Sequence, residues 1–131
     1  MARRVAIIAS NGGLDSAYKV LNIATAAAAT DAEVAIFFTF EALAIIHKDS
    51  AAMLTMGPGK EHYMEGFKRA NVPSIQELLQ IAMESGVKMI ACQMTMDVTG
   101  MTKDMFIEGV EVGGAVTFLD FAYDADATVT F

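Results

Sequence analysis

Cys92, the single cysteine of this 131-residue chain, is the residue whose type and position most clearly permit chemistry. It comes directly after a short apolar, β-prone run, residues 87–91, and directly before the polar Gln93. The apolar run stops at the thiol, which predicts that Cys92 lies at the carboxyl end of a buried strand. In open α/β sheets, ligands bind at this edge. A thiol there can also meet the N-terminal amide groups of a following helix, which favour the nucleophilic thiolate.

A purely structural Cys92 is the alternative, because free cysteines are among the most frequently buried residues. A helix N-terminus contributes only about 0.3 to 1 kcal/mol, which is less than one pKa unit, and Lys88 is the one basic residue close by. We therefore expect a thiol that accepts sulfur from a reactive donor, rather than one that attacks an inert bond. A persulfide is more acidic than its parent thiol and would remain anionic there. This role requires a sulfur atom that other molecules can reach.

Gln93, Met94 and Met96 follow the cysteine and are predicted to line the same ligand cleft. Thiolate and thioether ligands select Cu(I), so a copper site is a further hypothesis. Its alternative is that methionine fills irregular gaps in cores and interfaces. Nothing gathers these sulfur atoms around one point, so we predict no metal site and no cofactor. His47 and His62 lack a spaced carboxylate or cysteine and are predicted to be surface or loop residues.

The turn formed by Asn11, Gly12 and Gly13 lies between the first predicted strand and the first predicted helix. Its backbone N–H groups could bind an anion. The pattern is neither GxGxxG nor a P-loop, however, and Asp15 in the first helical turn disfavours phosphate. We predict a βα turn that lines the same edge of the cleft as Cys92.

Composition limits the class of protein. A chain of 131 residues is enough for one domain with one core, here residues 1–131. Apolar residues make up 54% of it, so part of the surface is predicted to be buried in a partner, most simply another copy of the chain. The net charge of −7 disfavours nucleic acid and anionic lipid as partners.

Three features bear on location. A lone cysteine cannot form an intrachain disulfide, which predicts a reducing cytoplasm. The longest mostly apolar run, 34–46, is shorter than the roughly 18 to 20 residues that span a bilayer, so no stable membrane span is expected. The basic residues 3–4 precede an apolar run that ends at Ala9, which predicts a strand and its loop rather than a secretory leader.

Apolar runs and turn signals predict strands alternating with helices. Continuous apolarity at 3–9, 34–38 and 87–91 predicts parallel strands that are covered on both faces. Helical spacing begins at Leu14, one or two helical turns are predicted at 42–46, and Ser74 with Glu77 forms a capping box. A short strand at 109–112, a helix at 115–123 and an edge strand at 127–131 complete a parallel sheet with helices on both faces.

Residues 47–72 form a long connection for so small a domain. We expect this connection to be functional or mobile, or else to be a helical excursion that packs on an oligomer partner.

Several segments resemble a known family. The run Ala-Cys-Gln-Met-Thr-Met-Asp-Val-Thr-Gly at 91–100 resembles the signature of the DsrE/DsrF-like family, in particular of its peroxiredoxin-like or DsrE-type accessory branch. Weaker matches are the Asn-Gly-Gly turn at 11–13, Phe-Phe-Thr-Phe at 37–40, Gly-Val-Glu-Val-Gly-Gly at 109–114, and the ending Ala-Asp-Ala-Thr-Val-Thr-Phe. The resemblance extends over nearly the whole chain.

The resemblance implies a flavodoxin-like, three-layer α/β sandwich with a largely parallel five-stranded sheet, and a homo-oligomer. It also implies a cysteine that accepts sulfane sulfur as a persulfide and relays it to a partner, and the matching residue is Cys92. Some family members have a membrane-tethering segment after the second strand. The matching region here, 42–56, is interrupted by His47, Lys48 and Asp49.

Two functions follow as hypotheses. The first is a sulfur-relay protein or sulfurtransferase in which Cys92 carries a persulfide, a Met-rich loop shields it, and the donor and acceptor are proteins or small thiols. The second is an oligomeric module that binds a small ligand without catalysis, with Cys92 only lining the cleft. Peroxidase activity is not expected, because it needs an activated thiolate and usually a resolving thiol.

Overall fold

The structure is a computed structural model that describes residues 3–131. Met1 and Ala2, at the start of the segment considered as a secretory leader, lie outside the described residues. The described chain alternates strands with helices. In order, the elements are β1 (Arg4–Ala9), α1 (Leu14–Ala29), β2 (Glu33–Phe38), α2 (Leu43–Ile46), α3 (Tyr63–Arg69), α4 (Ile75–Glu84), β3 (Lys88–Cys92), α5 (Gln93–Thr99), β4 (Glu111–Gly113), α6 (Ala115–Ala122) and β5 (Ala127–Thr130), with single 3-10 turns at Phe40–Ala42, Ala51–Met53 and Lys103–Met105.

The five strands form one sheet in the order β4-β3-β2-β1-β5, and every neighbouring pair is parallel. The chain adds β2, β3 and β4 successively on one side of β1, and then returns through α6 to place β5 on the other side. The predicted five-stranded parallel sheet is therefore confirmed. The interior strands β1, β2 and β3 are the ones with continuous apolar runs, whereas β5 is a largely exposed edge strand, as its alternating pattern predicted.

Helices cover both faces of the sheet, which confirms the three-layer α/β sandwich. On the first face, α1 and α4 pack in a large core that includes Leu21, Leu79 and Met89. On the second face, α6 covers a smaller core, in which the rings of Phe37 and Phe118 stack at 5.4 Å between centroids.

Local signals explain where the helices begin and how closely they pack. Ala17 and Ala24 are fully buried in α1, and their small side chains let the helix approach its neighbours closely. The Ser74 hydroxyl accepts a hydrogen bond from the Glu77 backbone N–H at 3.2 Å, so the predicted cap of α4 is present.

The long connection 47–72 is partly helical, as one of its predictions stated, but it packs on its own chain. The rings of Tyr18 in α1 and Phe67 in α3 lie 4.7 Å apart, and the Leu14 N–H donates to the Thr55 carbonyl at 2.8 Å. The connection therefore covers the N-terminal half of α1. Among residues 3–131, the structure has no helix that is both long enough and apolar enough to cross a membrane.

Candidate functional site

Cys92 is the last residue of β3, and α5 begins at the next residue, which confirms the predicted position of the thiol at a strand end. The carboxyl ends of all five strands lie at one edge of the sheet, where ligands bind in open α/β folds. The strand order changes direction at β1, between β2 and β5, and β3 is two strands away from β1. The thiol thus lies on the predicted edge but away from the switch point of the topology.

The Cys92 side chain is buried, with 4% of the residue exposed. On its apolar side it packs in the smaller core with Ile90 and Phe118, because alternate residues of β3 point to the second face of the sheet. The sulfur is therefore less accessible in the single chain than the sulfur-relay hypothesis requires. What distinguishes it from a structural cysteine is its polar side.

Two threonine hydroxyls make up that polar side. Thr39 directly follows β2, and Thr95 lies in the first turn of α5. Their hydroxyl oxygens are 3.3 Å apart, and the Phe40 backbone N–H donates to the Thr95 oxygen at 3.2 Å. Phe40 has a φ of +52°, a strained conformation for a residue with a bulky side chain. Phe40 therefore combines a left-handed backbone with a backbone N–H that donates to Thr95.

These groups set the protonation of the thiol. Burial raises the pKa of Cys92, but hydrogen bonds from the hydroxyls of Thr95 and Thr39, and from the backbone N–H groups of Thr95 and Met94, lower it. The net result is a pKa below the ordinary value for cysteine. Among the groups that lower this pKa, the hydroxyls of Thr95 and Thr39 contribute more than the two backbone N–H groups. A lowered pKa favours the thiolate, which is the nucleophilic form of cysteine.

The Gly12 turn supports the site indirectly. A Cβ atom at Gly12 would lie 2.3 Å from the Glu41 carbonyl oxygen, so only glycine permits the observed contact between this turn and the residues after Phe40. Asn11 is exposed, and Gly13 precedes α1. The three residues lie at the same edge as Cys92, but their contact with the site runs through the Phe40–Ala42 turn.

An anion site at the start of α1 is disfavoured by the contacts there. The Asp15 carboxylate accepts hydrogen bonds from the Gly57 N–H at 3.2 Å and from Lys60 Nζ at 2.9 Å. The Leu14 N–H donates a hydrogen bond to the Thr55 carbonyl and is therefore not available to an anion. The connection after α2 thus packs on the N-terminus of α1. The carboxylate of Asp15 already lies at this N-terminus and would repel a bound anion.

The structure separates the predicted cleft residues that follow Cys92. The Gln93 amide donates to the Asp97 carboxylate at 2.8 Å on the exposed side of α5. Met94 is 58% exposed, whereas Met96 is buried in the larger core on the first face of the sheet. The Met-rich segment is a helix rather than a loop. Since Cys92 and Met96 pack in different cores, their sulfur atoms do not converge on one copper ion.

The histidines are engaged elsewhere. His47 accepts a hydrogen bond from the Asp49 backbone N–H at 3.1 Å and forms an isolated bridge with Phe106. His62 packs on the ring of Tyr63 at 4.4 Å. In the part of the chain that the structure describes, no three His, Cys, Asp or Glu residues gather as a metal site would require.

A groove of about 390 Å³, which we call the α5 groove, lies along α5, the helix that begins directly after Cys92, although Cys92 itself does not line it. Thr95 belongs both to the lining of this groove and to the hydrogen-bond partners of the sulfur. The other lining side chains are mostly apolar, and three of them, Phe40, Met94 and Val98, are strongly exposed. The remaining lining residues are Ala44, Met101, Glu41 and Thr99.

A second cavity, of about 530 Å³, lies between α1 and the 47–72 connection, and Cys92 does not line it. Three aromatic side chains dominate its walls: Tyr18, Tyr63 and Phe67. Lys19 and Lys60 also line it, the latter paired with Asp15. We call it the α1 cavity. The long connection therefore builds a cavity of ligand-binding size.

Sequence reasoning did not select Thr39 and Thr95 as site residues. A signal for Thr39 was present, because it ends the apolar run of β2 as Cys92 ends that of β3, and parallel strand ends share one edge. Thr95 lies three residues after the thiol, so once a helix is recognised there, its hydroxyl returns to the same side.

The fold and the site together define a three-layer α/β domain with a lone cysteine, whose pKa is lowered by two threonine hydroxyls, at the carboxyl end of its third strand. The chain belongs to the DsrE/DsrF/DrsH-like family, whose model matches residues 1–67 and 52–130. The family resemblance of the 91–100 segment is thereby confirmed.

Individual relatives agree with this assignment. The chain is 38% identical to the "Sulfur carrier protein DsrE2" of Allochromatium vinosum over 151 aligned positions, which cover 95% of each chain. It is 27% identical to the "Uncharacterized protein YrkE" of Bacillus subtilis, with 89% of each chain covered. Among solved structures, the ychN protein from E. coli superimposes with a TM-score of 0.73 at 22% identity, over 98% of this chain and 99% of the other. That last likeness concerns the fold alone.

Proposed function

We propose that this chain is a sulfur-relay protein that holds sulfane sulfur as a persulfide on Cys92 and passes it to a partner, either a protein or a small thiol. The observation that supports this most is the arrangement of Thr39 and Thr95, whose hydroxyls lower the pKa of a thiol that would otherwise be a neutral core residue. The name of the Allochromatium vinosum relative, a sulfur carrier, supports the same function. A free thiol as the working group suits a reducing compartment such as the cytoplasm.

The transfer step needs no group beyond this thiol. The Cys92 thiolate attacks the outer sulfur of a donor persulfide, a bond forms between Sγ and that sulfur, and the donor leaves as a thiolate with the electron pair of the broken S–S bond. The persulfide on Cys92 is then an anion, and a threonine hydroxyl that donates to it would stabilise it. An acceptor thiolate removes the outer sulfur by the same exchange.

Burial gives the carrier selectivity. Since 4% of Cys92 is exposed, neighbouring side chains must move before the sulfur of a donor reaches Sγ. Random thiols and oxidants in solution then react slowly, while a donor that binds beside α5 reacts faster.

Mass spectrometry of the intact protein tests this function. The reduced chain is incubated with inorganic polysulfide, and sulfur atoms are expected to add to wild type but not to Cys92→Ser. The added sulfur should then disappear when a small thiol is supplied in excess, with the sulfur recovered on that thiol. Absence of added sulfur on wild type from polysulfide and from an uncharged sulfane donor alike, or equal addition to Cys92→Ser, contradicts the proposal.

We also propose that the chain self-associates through α6. Val116 is 71% exposed, Leu119 is 39% exposed and Tyr123 is 76% exposed, and the spacing of these residues places them along one side of the helix. An apolar stripe of this kind on α6, which covers the second face of the sheet, is typical of a surface buried against another chain.

A second function is supported by the α1 cavity, namely binding of a small ligand without catalysis. Its volume of about 530 Å³ and its aromatic walls are typical of sites for apolar molecules. The dye anilinonaphthalene sulfonate is a suitable probe, because it combines aromatic rings with an anion that the cavity lysines can meet. This function predicts that Phe67→Ala weakens dye binding and Cys92→Ala does not, and equal binding by all three proteins contradicts it.

A further inference from the structure

The α5 groove has a composition that is unusual for a site meant to receive small anions. Its lining includes one charged side chain, Glu41, and the remaining side chains are apolar or hydroxyl-bearing. Neither lysine, arginine nor histidine lines it. Asp97 adds a second carboxylate on the exposed side of α5, and the chain as a whole has a charge of −7. Thiosulfate, sulfide and polysulfide anions are therefore repelled from the approach to Cys92.

The same lining suits an uncharged, polarisable molecule. Met94 and Met101 present thioethers, and Phe40 presents an aromatic ring that is 60% exposed. Thioethers are soft and adapt to irregular shapes. The groove volume of about 390 Å³ falls in the range of small-molecule sites, so it can take a compact apolar molecule.

Thr95 connects the groove to the thiol. Its side chain lines the groove, it stands three residues after Cys92 in the first turn of α5, and its residue is 4% exposed. Its hydroxyl also lowers the pKa of the Cys92 thiol. A molecule seated in the groove against Thr95 therefore lies next to a residue that influences the ionisation of Cys92. Transfer to Sγ requires the Thr95 side chain to move aside.

We propose that the α5 groove takes an uncharged, apolar form of sulfane sulfur, of which the octasulfur ring is the simplest example, as the donor to Cys92. This rests on the proposed function and names the class of its donor. The reaction balances without another reagent. The Cys92 thiolate attacks one ring sulfur, the Sγ–S bond forms, one ring S–S bond breaks, and the electron pair remains on the far end of the opened chain as a terminal anion.

The experiment compares two donors on the same proteins. Octasulfur, added from a small volume of organic solvent, and inorganic polysulfide are each incubated with the reduced chain, and sulfur addition is followed by intact mass. Val98, which is 80% exposed in the groove, is changed to Glu or to Lys, since a charge there opposes an apolar ligand. Ile81, which is 44% exposed on α4 and outside the groove, receives the same changes as a matched control.

A charge at position 98 also alters the ionisation of Cys92, so each rate is divided by the rate of alkylation with iodoacetamide, a small neutral reagent. After this correction, we expect both Val98→Glu and Val98→Lys to slow loading from octasulfur by about tenfold, which corresponds to ~1.4 kcal/mol of lost binding. Polysulfide loading should instead respond to the sign of the charge, faster with Val98→Lys and slower with Val98→Glu. The Ile81 variants should behave as wild type with both donors.

Two results overturn the inference while leaving the sulfur-relay function intact. One is that wild type takes sulfur from polysulfide but none from octasulfur. The other is that the two Val98 variants change loading from both donors in the same proportion, as expected if the groove instead receives an apolar segment of a partner protein. Failure of wild type with both donors contradicts the sulfur-relay function itself.

Discussion

The hydroxyl oxygen of Thr95 accepts a hydrogen bond from the backbone N–H of Phe40 at 3.2 Å. Because this contact uses an acceptor position, the hydroxyl proton of Thr95 is available either to Cys92 or to the Thr39 hydroxyl, whose oxygen is 3.3 Å away. The left-handed backbone at Phe40 thus fixes the position of a hydroxyl that lowers the pKa of the Cys92 thiol. Removing either partner of this hydrogen bond should change the reactivity of the Cys92 thiol more than it changes the fold.

The first prediction concerns Thr95→Val, which keeps the size of the side chain and removes its hydroxyl. The pKa of Cys92 should rise, because the thiolate loses a donor, and the pH midpoint of iodoacetamide alkylation should move upward. The Phe40 N–H also loses its acceptor, so the free energy of unfolding should fall by about 1–3 kcal/mol.

Thr25→Val is the control for this change, since the Thr25 hydroxyl bonds to a backbone carbonyl within α1 and is remote from the thiol. Its alkylation profile should match that of wild type. An unchanged midpoint in Thr95→Val would show that the hydroxyl does not stabilise the thiolate.

The second prediction concerns Gly12→Ala. A methyl group at this position would meet the Glu41 carbonyl oxygen at 2.3 Å, so the turn after β2 must shift. We expect a loss of about 1–3 kcal/mol in the free energy of unfolding, measured by urea titration, together with slower loading of Cys92. Gly114→Ala, where the added Cβ has no neighbour within 4 Å, should cost much less. Equal losses in the two variants would mean that the Gly12 contact is not a constraint.

The third prediction concerns the dependence of stability on pH at Asp15. The hydrogen bond from Lys60 is the main cause that holds the pKa of this carboxyl below its ordinary value of 3.8, with a further contribution from the Gly57 N–H. A carboxyl whose pKa is lower in the folded state stabilises the fold above the unfolded-state pKa, and this contribution is lost as the pH falls through the folded-state value.

Thermal unfolding of wild type and Asp15→Asn over a pH series tests this. The wild-type Tm should exceed that of the variant near neutral pH, and the difference should shrink below pH 3.8. A constant difference across the series would indicate that the ionised form of Asp15 is not the stabilising species.

The fourth prediction concerns self-association. Leu119→Glu places a charge in the apolar stripe of α6, and it should lower the molar mass measured by light scattering, because a buried carboxylate opposes the contact. Ile23→Glu is a matched control, since Ile23 on α1 is exposed to the same extent, 39%. A wild-type chain that is already monomeric, or an equal effect of both variants, would exclude α6 as the interface.

Much of this architecture was predictable from local patterns. The apolar runs that became β1, β2 and β3, the serine cap of α4 and the strand end at Cys92 all depend on neighbours within a few residues of the chain. Burial of a strand and capping of a helix require particular residue types at short spacings, so they leave a readable pattern in the sequence.

The composition of the site depended instead on residues that are distant in sequence. Thr39 and Thr95 meet because β2 and β3 are parallel neighbours with matched ends, and Gly12 reaches Glu41 because β1 lies next to β2. Met94 and Met96 are two positions apart, yet one is exposed and the other lies in a core, because a helix turns by about 100° per residue. The sequence by itself determined that a thiol ends a buried strand. Only the tertiary structure decided which hydroxyls surround that thiol, because pairing between strands is a contact at long range.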